Sequence, residues 1–335
     1  MAIRLDVRGL TVELRTRSGW VRPVNGVSFS LGEGETLGVV GESGSGKTML
    51  ALALMGLEPP GTRRHGEAWL HRGSSNGNLS AGANDAINLV TASDHEMRAL
   101  RGRDIAMVFQ EPMSALNPVL RVGRQIEEMI RVHEPSLMKG EIRRRALAAM
   151  ERAAIPEPDR RARQYPHQLS GGLRQRATIA MGIAAGPGVL IADEPTTALD
   201  VTVQKQILDL LGTLRRELRL SLLFITHDLG VVAQIADRVV VMYAGRIVEE
   251  GPVAEVLRQP RHPYTDGLLR AAPRLTREKL ASIPGAVPSL DALPPGCAFS
   301  PRCARRVAEC DARLPDLIRP ADADENHRAR CILVR

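Results

Sequence analysis

Three features are scarce in this sequence: aromatic residues, long hydrophobic runs, and cysteines outside the C-terminal part. Aromatic residues make up 3% of the 335 residues, so the core must be built from Leu, Val, Ile, Ala and Met. No apolar run approaches the ~20 residues that a membrane-spanning helix needs, and residues 1–7 alternate like a strand without a secretory hydrophobic segment. These absences predict a cytoplasmic protein whose membrane contacts, if it has any, are made through a partner.

The remaining composition is that of an ordinary globular protein with a basic balance. Hydrophobic residues make up 44% and charged residues 25%, and the formal net charge is +7. A basic chain can lie near phosphate, nucleic acid or an anionic membrane surface, although a composition rich in Arg and Ala explains the charge equally well. The length exceeds one typical domain, so a large domain with a smaller C-terminal part is expected.

The stretch with the clearest chemical meaning is residues 41–48, Gly-Glu-Ser-Gly-Ser-Gly-Lys-Thr. It follows the short apolar run 36–40, which predicts a buried strand, and precedes the helix-forming run 49–55, with Gly56 as the predicted C-cap. A strand, a glycine loop, Lys-Thr and a helix form the context that a phosphate-binding loop requires. A chance glycine turn before a helix is the alternative, and the flanking strand and helix disfavour it.

Each residue type in this loop suits a nucleoside triphosphate. The glycines let the backbone curl so that successive N–H groups point at a phosphate, and the helix N-terminus adds partial positive charge. Lys47 can reach the β- and γ-phosphates, and the Thr48 hydroxyl can ligate Mg²⁺. The predicted nucleotide-binding residues of the loop are Gly41, Ser43, Gly44, Gly46, Lys47 and Thr48.

Other short apolar segments predict a parallel sheet with flanking helices. Residues 1–40 predict strands, and so do 105–109, 188–192 and 220–225, whose near-continuous apolar character is typical of a sheet covered on both faces. Apolar residues at helical spacing over 203–218 complete a β-α-β unit between the last two strands. The pattern therefore predicts an α/β fold.

The rest of the chain has weaker patterns. Residues 120–165 predict charged helices, and residues 239–242 and 246–249 predict a hairpin around 243–245. The polar stretch 73–86 predicts a surface loop.

An apolar strand that ends in two acids, Asp193 and Glu194, predicts the catalytic carboxylates. In a phosphate-loop fold this is where the metal and the attacking water need carboxylates, so Asp193 is assigned to Mg²⁺ and Glu194 to general-base catalysis. A solvated acidic turn is the alternative for an isolated Asp-Glu pair. It is disfavoured here because the phosphate loop already requires such a strand.

A second glycine stretch, 169–173, opens another predicted helix that extends from residue 177 to 185. Ser170 can cap this helix, and Gly171 and Gly172 expose backbone N–H groups at its N-terminus, which is a second anion-binding feature. The sequence resembles the nucleotide-binding subunit of ABC transporters, and residues 169–173 match the signature motif of that family. One chain therefore carries two phosphate-binding helix starts.

The other motifs of the family fall in order along the chain. Gln110 resembles the Q-loop glutamine, Asp200 the D-loop aspartate and His227 the switch histidine. The resemblance implies catalytic roles for Gln110 and His227 beside Glu194, a nucleotide contact for Asp200, and Mg²⁺ ligation by Thr48, Gln110 and Asp193. Most of the other histidines are expected to be ordinary surface groups.

The resemblance also implies a P-loop NTPase fold: a RecA-like parallel core sheet with an N-terminal antiparallel β part and an inserted α-helical subdomain at about 115–180. Relatives often stack adenine on an aromatic residue near the position of Leu14, where this chain has none. Trp20 is the substitute, although packing of its ring against the sheet is equally compatible with the sequence.

Two further stretches, 109–118 and 262–265, are similar to the subfamily that imports dipeptides and oligopeptides. In that family two ATPase subunits pair head to tail, with ATP between residues 41–48 of one and residues 170–172 of the other. The implied partners are a second ATPase subunit, expected to be a paralogue, two transmembrane permease subunits and, indirectly, an extracytoplasmic solute-binding protein. The implied location is the cytoplasmic face of the inner membrane.

Alternatives remain for the transported solute and for the class of protein. Import of nickel or another small solute would use the same ATPase, and Leu173 and the long 73–86 insertion depart from the usual family pattern. A soluble ABC ATPase acting on DNA needs a long insertion before the signature, and 120–165 is too short for one. No nucleic-acid partner is therefore expected.

All four cysteines, Cys297, Cys303, Cys310 and Cys331, lie in the C-terminal part, with gaps of five, six and twenty residues. Disulfides do not suit the cytosol, and zinc sites usually begin with a tighter pair. The spacing favours a [4Fe–4S] cluster, with Zn²⁺ and free structural thiols as the alternatives. The predicted domains are 1–254, which binds nucleotide, and 255–335, a separate accessory region. An electron-transfer protein that merely binds nucleotide is disfavoured by the complete set of ATPase motifs.

Overall fold

The computed structural model describes residues 2–17, 19–72, 86–197, 199–271 and 283–334. The predicted surface loop at 73–86 lies outside these residues except at its last position. The chain forms two compact units: one is Met1–Leu5, Leu31–Glu35 and Leu70–Leu223, and the other is Asp6–Ser30, Thr36–Trp69 and Phe224–Arg335. We call them the first and the second unit.

The chain contains both strands and helices, and the two kinds of element alternate between residues 189 and 243. The strands are β1 (Ile3–Thr16), β2 (Gly19–Gly32), β3 (Thr36–Val40), β4 (Arg63–His71), β5 (Ala86–Asn88), β6 (Ile105–Val108), β7 (Val189–Asp193), β8 (Ser221–Thr226), β9 (Arg238–Tyr243), β10 (Arg246–Pro252) and β11 (Arg328–Ala329). The helices are α1 (Lys47–Met55), α2 (Asp94–Leu100), α3 (Pro112–Ala115), α4 (Val122–His133), α5 (Lys139–Arg152), α6 (Pro158–Arg161), α7 (Gly171–Ile183), α8 (Val201–Leu218), α9 (Leu229–Ile235), α10 (Val253–Arg258), α11 (Pro263–Ala271) and α12 (Glu309–Ala312). Among the described residues, no helix combines the length and the apolar character needed to cross a membrane.

The N-terminal part is β structure, as its alternating pattern predicts. Strands β2, β1 and β4 lie side by side in that order. Within β1 the apolar side chains of Leu5, Val7, Leu10 and Val12 are buried, and polar neighbours lie between them. Alternation of this kind buries one face of a strand and leaves the other polar.

In the second unit, β3 supplies the strand on which the phosphate loop is mounted. Every residue of β3 is buried, and the strand pairs in parallel with β9, from Leu37 opposite Arg238 to Val40 opposite Val241. Strand β10 pairs antiparallel with β9, and β11 antiparallel with β10. The sheet is therefore mixed on this side.

The predicted hairpin forms with a tighter turn than expected. Tyr243 pairs with Arg246, so the turn holds two residues, Ala244 and Gly245, and not the three residues 243–245. Both turn residues have positive φ, 46° and 81°. A two-residue turn of this kind follows the right-handed twist of its strands, which a wider turn does not do as well.

In the first unit, β6 and β7 pair in parallel, which agrees with the predicted parallel sheet. They run in register from Ile105 opposite Val189 to Val108 opposite Ala192, and β7 is buried throughout. Helix α8 begins at Val201, two residues before the start of the apolar pattern at 203, because the Asp200 side chain caps it. Helices α4, α5 and α6 lie within residues 120–165, which were predicted to be helical. The exact limits of a helical subdomain stay a prediction.

The C-terminal part was predicted to be a separate accessory region. In the structure it contacts strand β9 through buried aromatic rings. The rings of Tyr264 and Phe299 pack on Tyr243 of β9, with centroids 4.6 and 5.3 Å away. All three rings are buried in the second unit. A Pro- and Cys-rich composition indicates irregular structure, but it carries no information about what the buried aromatic residues contact. A boundary near residue 254 stays a prediction.

Candidate functional site

The glycine loop 41–48 joins β3 to α1, as predicted, and two of its glycines are required by close backbone contacts. A Cβ at Gly41 would lie 2.2 Å from the backbone oxygen of Met242. At Gly46, where φ is 102°, it would lie 1.9 Å from the backbone oxygen of Pro23. A side chain is excluded at both positions, so these residues fix the path of the loop. Helix α1 ends at Gly56 with φ 61°, which confirms the predicted C-cap.

The loop lysine is held by backbone oxygens of the same loop. The ammonium of Lys47 donates to the carbonyl oxygens of Gly41, at 2.7 Å, and Glu42, at 3.0 Å. A triphosphate offers anionic oxygens, which accept stronger hydrogen bonds from an ammonium than neutral carbonyls do. The side chains of Ser43 and Thr48 and the backbone of Gly44 are exposed, so the outer side of the loop is accessible to a ligand.

At the end of β7, Glu194 is held by two hydrogen bonds and a strained backbone. Its φ is 46°, in the left-handed region that costs a non-glycine residue energy. Its Oε2 atom accepts from Gln110 Nε2 at 3.1 Å and from the Thr197 hydroxyl at 2.8 Å. The preceding acid, Asp193, is buried. The structure thus brings together two of the predicted catalytic residues, Gln110 and Glu194, and adds Thr197.

The first unit contains the start of α7, predicted as the second anion-binding feature, and Asp200, predicted to contact nucleotide. Ser170 caps α7 by accepting from the Leu173 N–H at 3.3 Å, as predicted, and Ser170 and Gly171 are exposed. A Cβ at Gly172 would lie 2.9 Å from Val203 Cγ1 of α8. Asp200, also exposed, caps α8 by accepting from the Val203 N–H at 2.9 Å. Glycine at 172 therefore lets α7 approach the first turn of α8. Asp200 lies at the N-terminus of that same helix.

Two further predicted residues lie in the second unit. His227 follows β8 and its side chain is exposed. The Trp20 side chain is 40% exposed, and the guanidinium of Arg63 lies 4.1 Å from the centroid of its ring. This cation–π contact covers part of the ring, so stacking of adenine on Trp20 stays a prediction.

Sequence reasoning missed several residues of the site. Thr197 follows the predicted acids closely and has a hydroxyl that can reach them, so a search for donors near Glu194 could have found it. No such signal exists for Tyr264 and Arg302, which contact the phosphate loop at Glu42 from 222 and 260 residues away. Contacts over such separations leave no local pattern.

The four cysteines are all free and line one small cavity, which Phe299 and Leu333 also border. Burial raises the pKa of Cys297 to about 11 and also raises the pKa of Cys303 and Cys331, so these thiols are protonated at neutral pH. Over the described parts of the chain, no three His, Cys, Asp or Glu side chains are arranged to hold a metal ion. The predicted iron–sulfur site and its zinc alternative therefore gain no support from ligand geometry.

Residues 24–197 match the family model described as ABC transporter, which covers just over half of the chain. The chain belongs to the ABC transporter family. It is an ATPase of this family, and its cofactors are ATP and Mg²⁺. Residues 248–310 of this ABC protein match a second model, described as oligopeptide/dipeptide transporter, C-terminal region.

Curated relatives of this ABC protein match it over nearly its whole length. One from Brucella ovis, named a peptide import ATP-binding protein, is 52% identical over 340 residues, which cover 98% of this chain and 96% of the relative. Another from Brucella abortus with the same kind of name is 48% identical over 308 residues, or 91% of this chain and 89% of the relative.

Solved structures show the same fold. A dimeric ATP-binding cassette in a post-hydrolysis state, bound to ADP and phosphate, has a TM-score of 0.63 and 27% identity over 74% of this chain and 98% of its own. A protein from Clostridium perfringens, described as part of an ABC transporter complex, has a TM-score of 0.62 and 27% identity over 77% of this chain and 92% of its own. The fold of this ABC protein is that of an ATP-binding cassette, a P-loop NTPase.

Proposed function

We propose that this ABC protein hydrolyses ATP to power the import of dipeptides or oligopeptides. The observation that carries the proposal is the match of residues 248–310 to the C-terminal region of oligopeptide and dipeptide transporters. Relatives that cover 98% and 91% of the chain are named for peptide import, which supports the same solute class. No observation on the described residues favours nickel or another small solute.

Within this proposal the phosphate loop binds the triphosphate. Lys47 exchanges its carbonyl partners for phosphate oxygens, and the backbone N–H groups of residues 41–48 contact the phosphates. The hydroxyl of Thr48, the carboxylate of Asp193 and the amide oxygen of Gln110 are hard oxygen donors, which suit Mg²⁺. When bound, Mg²⁺ would neutralise charge on the phosphate oxygens.

Glu194 acts as the general base toward the attacking water. Its hydrogen bonds from Gln110 and Thr197 fix the orientation of the carboxylate before the substrate arrives. His227 is assigned to the γ-phosphate by its position after β8 and by the family motif. Ser170, Gly171, Gly172 and Asp200 are assigned to a nucleotide held by the second ATPase subunit. The exposure of Ser170, Gly171 and Asp200 supports this role.

The proposed assembly contains two ATPase subunits, of which the second is a paralogue, and two transmembrane permease subunits at the inner membrane. A dimeric state of a related cassette supports the pairing of ATPase subunits. An extracytoplasmic solute-binding protein delivers the solute in this scheme. The ATPase contacts the membrane through the permease subunits.

The test is ATP hydrolysis by the complex of this protein with its permease subunits, reconstituted in lipid vesicles with the solute-binding protein inside or outside. We expect di- or oligopeptides to stimulate hydrolysis and to accumulate in the vesicles. The Glu194→Gln complex is the matched control, because it should bind ATP without transport. Stimulation by nickel and not by peptides would overturn the assignment of the solute.

For the cysteines, we propose that the cavity bordered by Cys297, Cys303, Cys310 and Cys331 receives a [4Fe–4S] cluster. Support comes from the four thiol donors around one cavity and from their spacing, since four thiolates are the usual ligands of such a cluster. Binding would require the thiols to lose their protons. Iron and acid-labile sulfide measured after anaerobic purification test the proposal, with Cys310→Ser as the control. A preparation with zinc, or with neither metal, would refute it.

A further inference from the structure

The second residue of the phosphate loop, Glu42, is bound through all three of its polar groups. Its backbone N–H donates to the Tyr264 hydroxyl at 2.7 Å, and its carbonyl oxygen accepts from Lys47 Nζ at 3.0 Å. Its carboxylate forms a two-point ion pair with Arg302, at 2.7 Å from Nη1 to Oε2 and 3.0 Å from Nη2 to Oε1. The loop lysine and two residues of the C-terminal part therefore meet at one residue.

The guanidinium of Arg302 is held rigidly on the side away from the loop. Its side chain is 4% exposed, and its Nε donates to the Pro284 carbonyl oxygen at 2.9 Å. The Cζ atom of Arg302 lies 5.9 Å from the ring centroids of both Tyr243 and Phe299. Pairing with Glu42 raises the pKa of Arg302, so the guanidinium stays charged. A buried charge fixed in this way holds its partner to one geometry, because release would leave it unpaired.

Tyr264 is equally constrained. It is fully buried, and its ring packs against Tyr243 and Phe299 at centroid distances of 4.6 and 5.4 Å. Burial raises the pKa of Tyr264, so the hydroxyl is neutral when it accepts the Glu42 N–H. The two residues thus present a fixed hydroxyl and a fixed guanidinium to one turn of the loop.

We propose that Arg302 and Tyr264 are positioning residues for ATP binding. They act through Glu42 to hold the phosphate loop in the conformation that binds the phosphates. The inference rests on the proposed nucleotide site at residues 41–48. A glycine-rich loop loses conformational entropy when it closes on phosphates, and a loop already held in place loses less. The C-terminal part thereby sets the affinity for ATP without touching the nucleotide.

The Glu42 side chain is the place to test this, because it is 30% exposed and its replacement by glutamine keeps its size. We would measure the dissociation constant of a fluorescent ATP analogue, KM, kcat and the melting temperature for Glu42→Gln, Arg302→Lys, the double variant and Tyr264→Phe. Arg306→Lys is the matched control, since Arg306 lies in the same segment but pairs with Asp311 and not with Glu42.

We expect Glu42→Gln and Arg302→Lys each to raise the dissociation constant and KM about tenfold, with kcat changed by less than about twofold. The double variant should bind as weakly as either single variant, because both changes break the same two-point contact between residues 42 and 302. Tyr264→Phe should weaken binding in the same direction, and Arg306→Lys should leave it unchanged.

The inference would be overturned by unchanged binding in Glu42→Gln and Arg302→Lys, or by additive effects in the double variant. A melting temperature that falls without any change in KM would show a merely structural role and would also overturn it. Lys47→Ala separates the inference from the nucleotide site itself. If Lys47→Ala leaves ATP binding intact, the proposed site is wrong; if it abolishes binding while the Arg302 variant binds normally, only the positioning role is wrong.

Discussion

Replacement of Glu194 by glutamine removes the proposed proton acceptor and keeps the geometry of the side chain. The carboxylate oxygen Oε2 accepts hydrogen bonds from Gln110 Nε2 at 3.1 Å and from the Thr197 hydroxyl at 2.8 Å. The amide oxygen of glutamine can accept both bonds in the same place. The variant therefore keeps the orientation of the side chain at its strained φ of 46° but loses the basic oxygen.

Loss of a general base lowers a rate by about 10²–10⁴, or about 3–5 kcal/mol of activation free energy. Steady-state phosphate release should fall by that factor, whereas the dissociation constant of an ATP analogue should stay within about twofold. Such a variant should also accumulate as an ATP-bound closed dimer. Phosphate release and analogue binding, measured on the same preparation beside size-exclusion chromatography with ATP, report all three quantities.

Thr197→Val provides the comparison, because valine keeps the shape of threonine without the donor. Removal of one hydrogen bond to a charged group costs about 1.5–3 kcal/mol, so the rate should fall by about 10- to 150-fold and by less than in Glu194→Gln. Wild-type turnover in Glu194→Gln would refute the assignment of the base. A larger loss in Thr197→Val than in Glu194→Gln would refute the reasoning about orientation.

Three further outcomes are expected. Gly46→Ala should unfold the loop and abolish ATP binding, since its Cβ would lie 1.9 Å from the backbone oxygen of Pro23; analogue binding and melting temperature check this. Burial lowers the pKa of His262 from 6.5 to about 3, so the unfolded chain binds the extra proton and stability falls as the pH drops below about 6.5. Between pH 7.5 and 5 this should remove about 2 kcal/mol of unfolding free energy, a loss that urea titrations of His262→Asn should not show. Trp20→Ala should weaken ATP binding by about 1–3 kcal/mol if the ring stacks on adenine, and equilibrium binding that matches wild type would exclude stacking.

Local patterns were enough to predict the loop at 41–48, the acids at the end of β7 and the cap of α7. In each case residues adjacent in sequence carry the physical cause, such as a glycine that allows a close contact or a serine that caps a helix. The turn at 244–245 was placed one residue too wide, because an alternating pattern does not specify which residues pair across a hairpin.

The remaining features depend on distant residues. Arg302 looks like any other basic residue in a Pro-rich segment, and only the folded chain brings it to Glu42. Spacing grouped the four cysteines, which line one cavity in the structure, but spacing carries no information about how far apart their sulfur atoms lie. A metal site at these cysteines therefore stays a prediction.

The ion pair between Glu42 and Arg302 joins positions 260 residues apart, which has a consequence for biosynthesis. A ribosome completes every ATPase motif up to His227 well before it reaches Arg302. A nascent or prematurely terminated polypeptide would thus carry the full set of motifs, but its phosphate loop would lack the contact with Arg302. Such a polypeptide would compete poorly for cellular ATP. Nucleotide loading would then await the last part of translation.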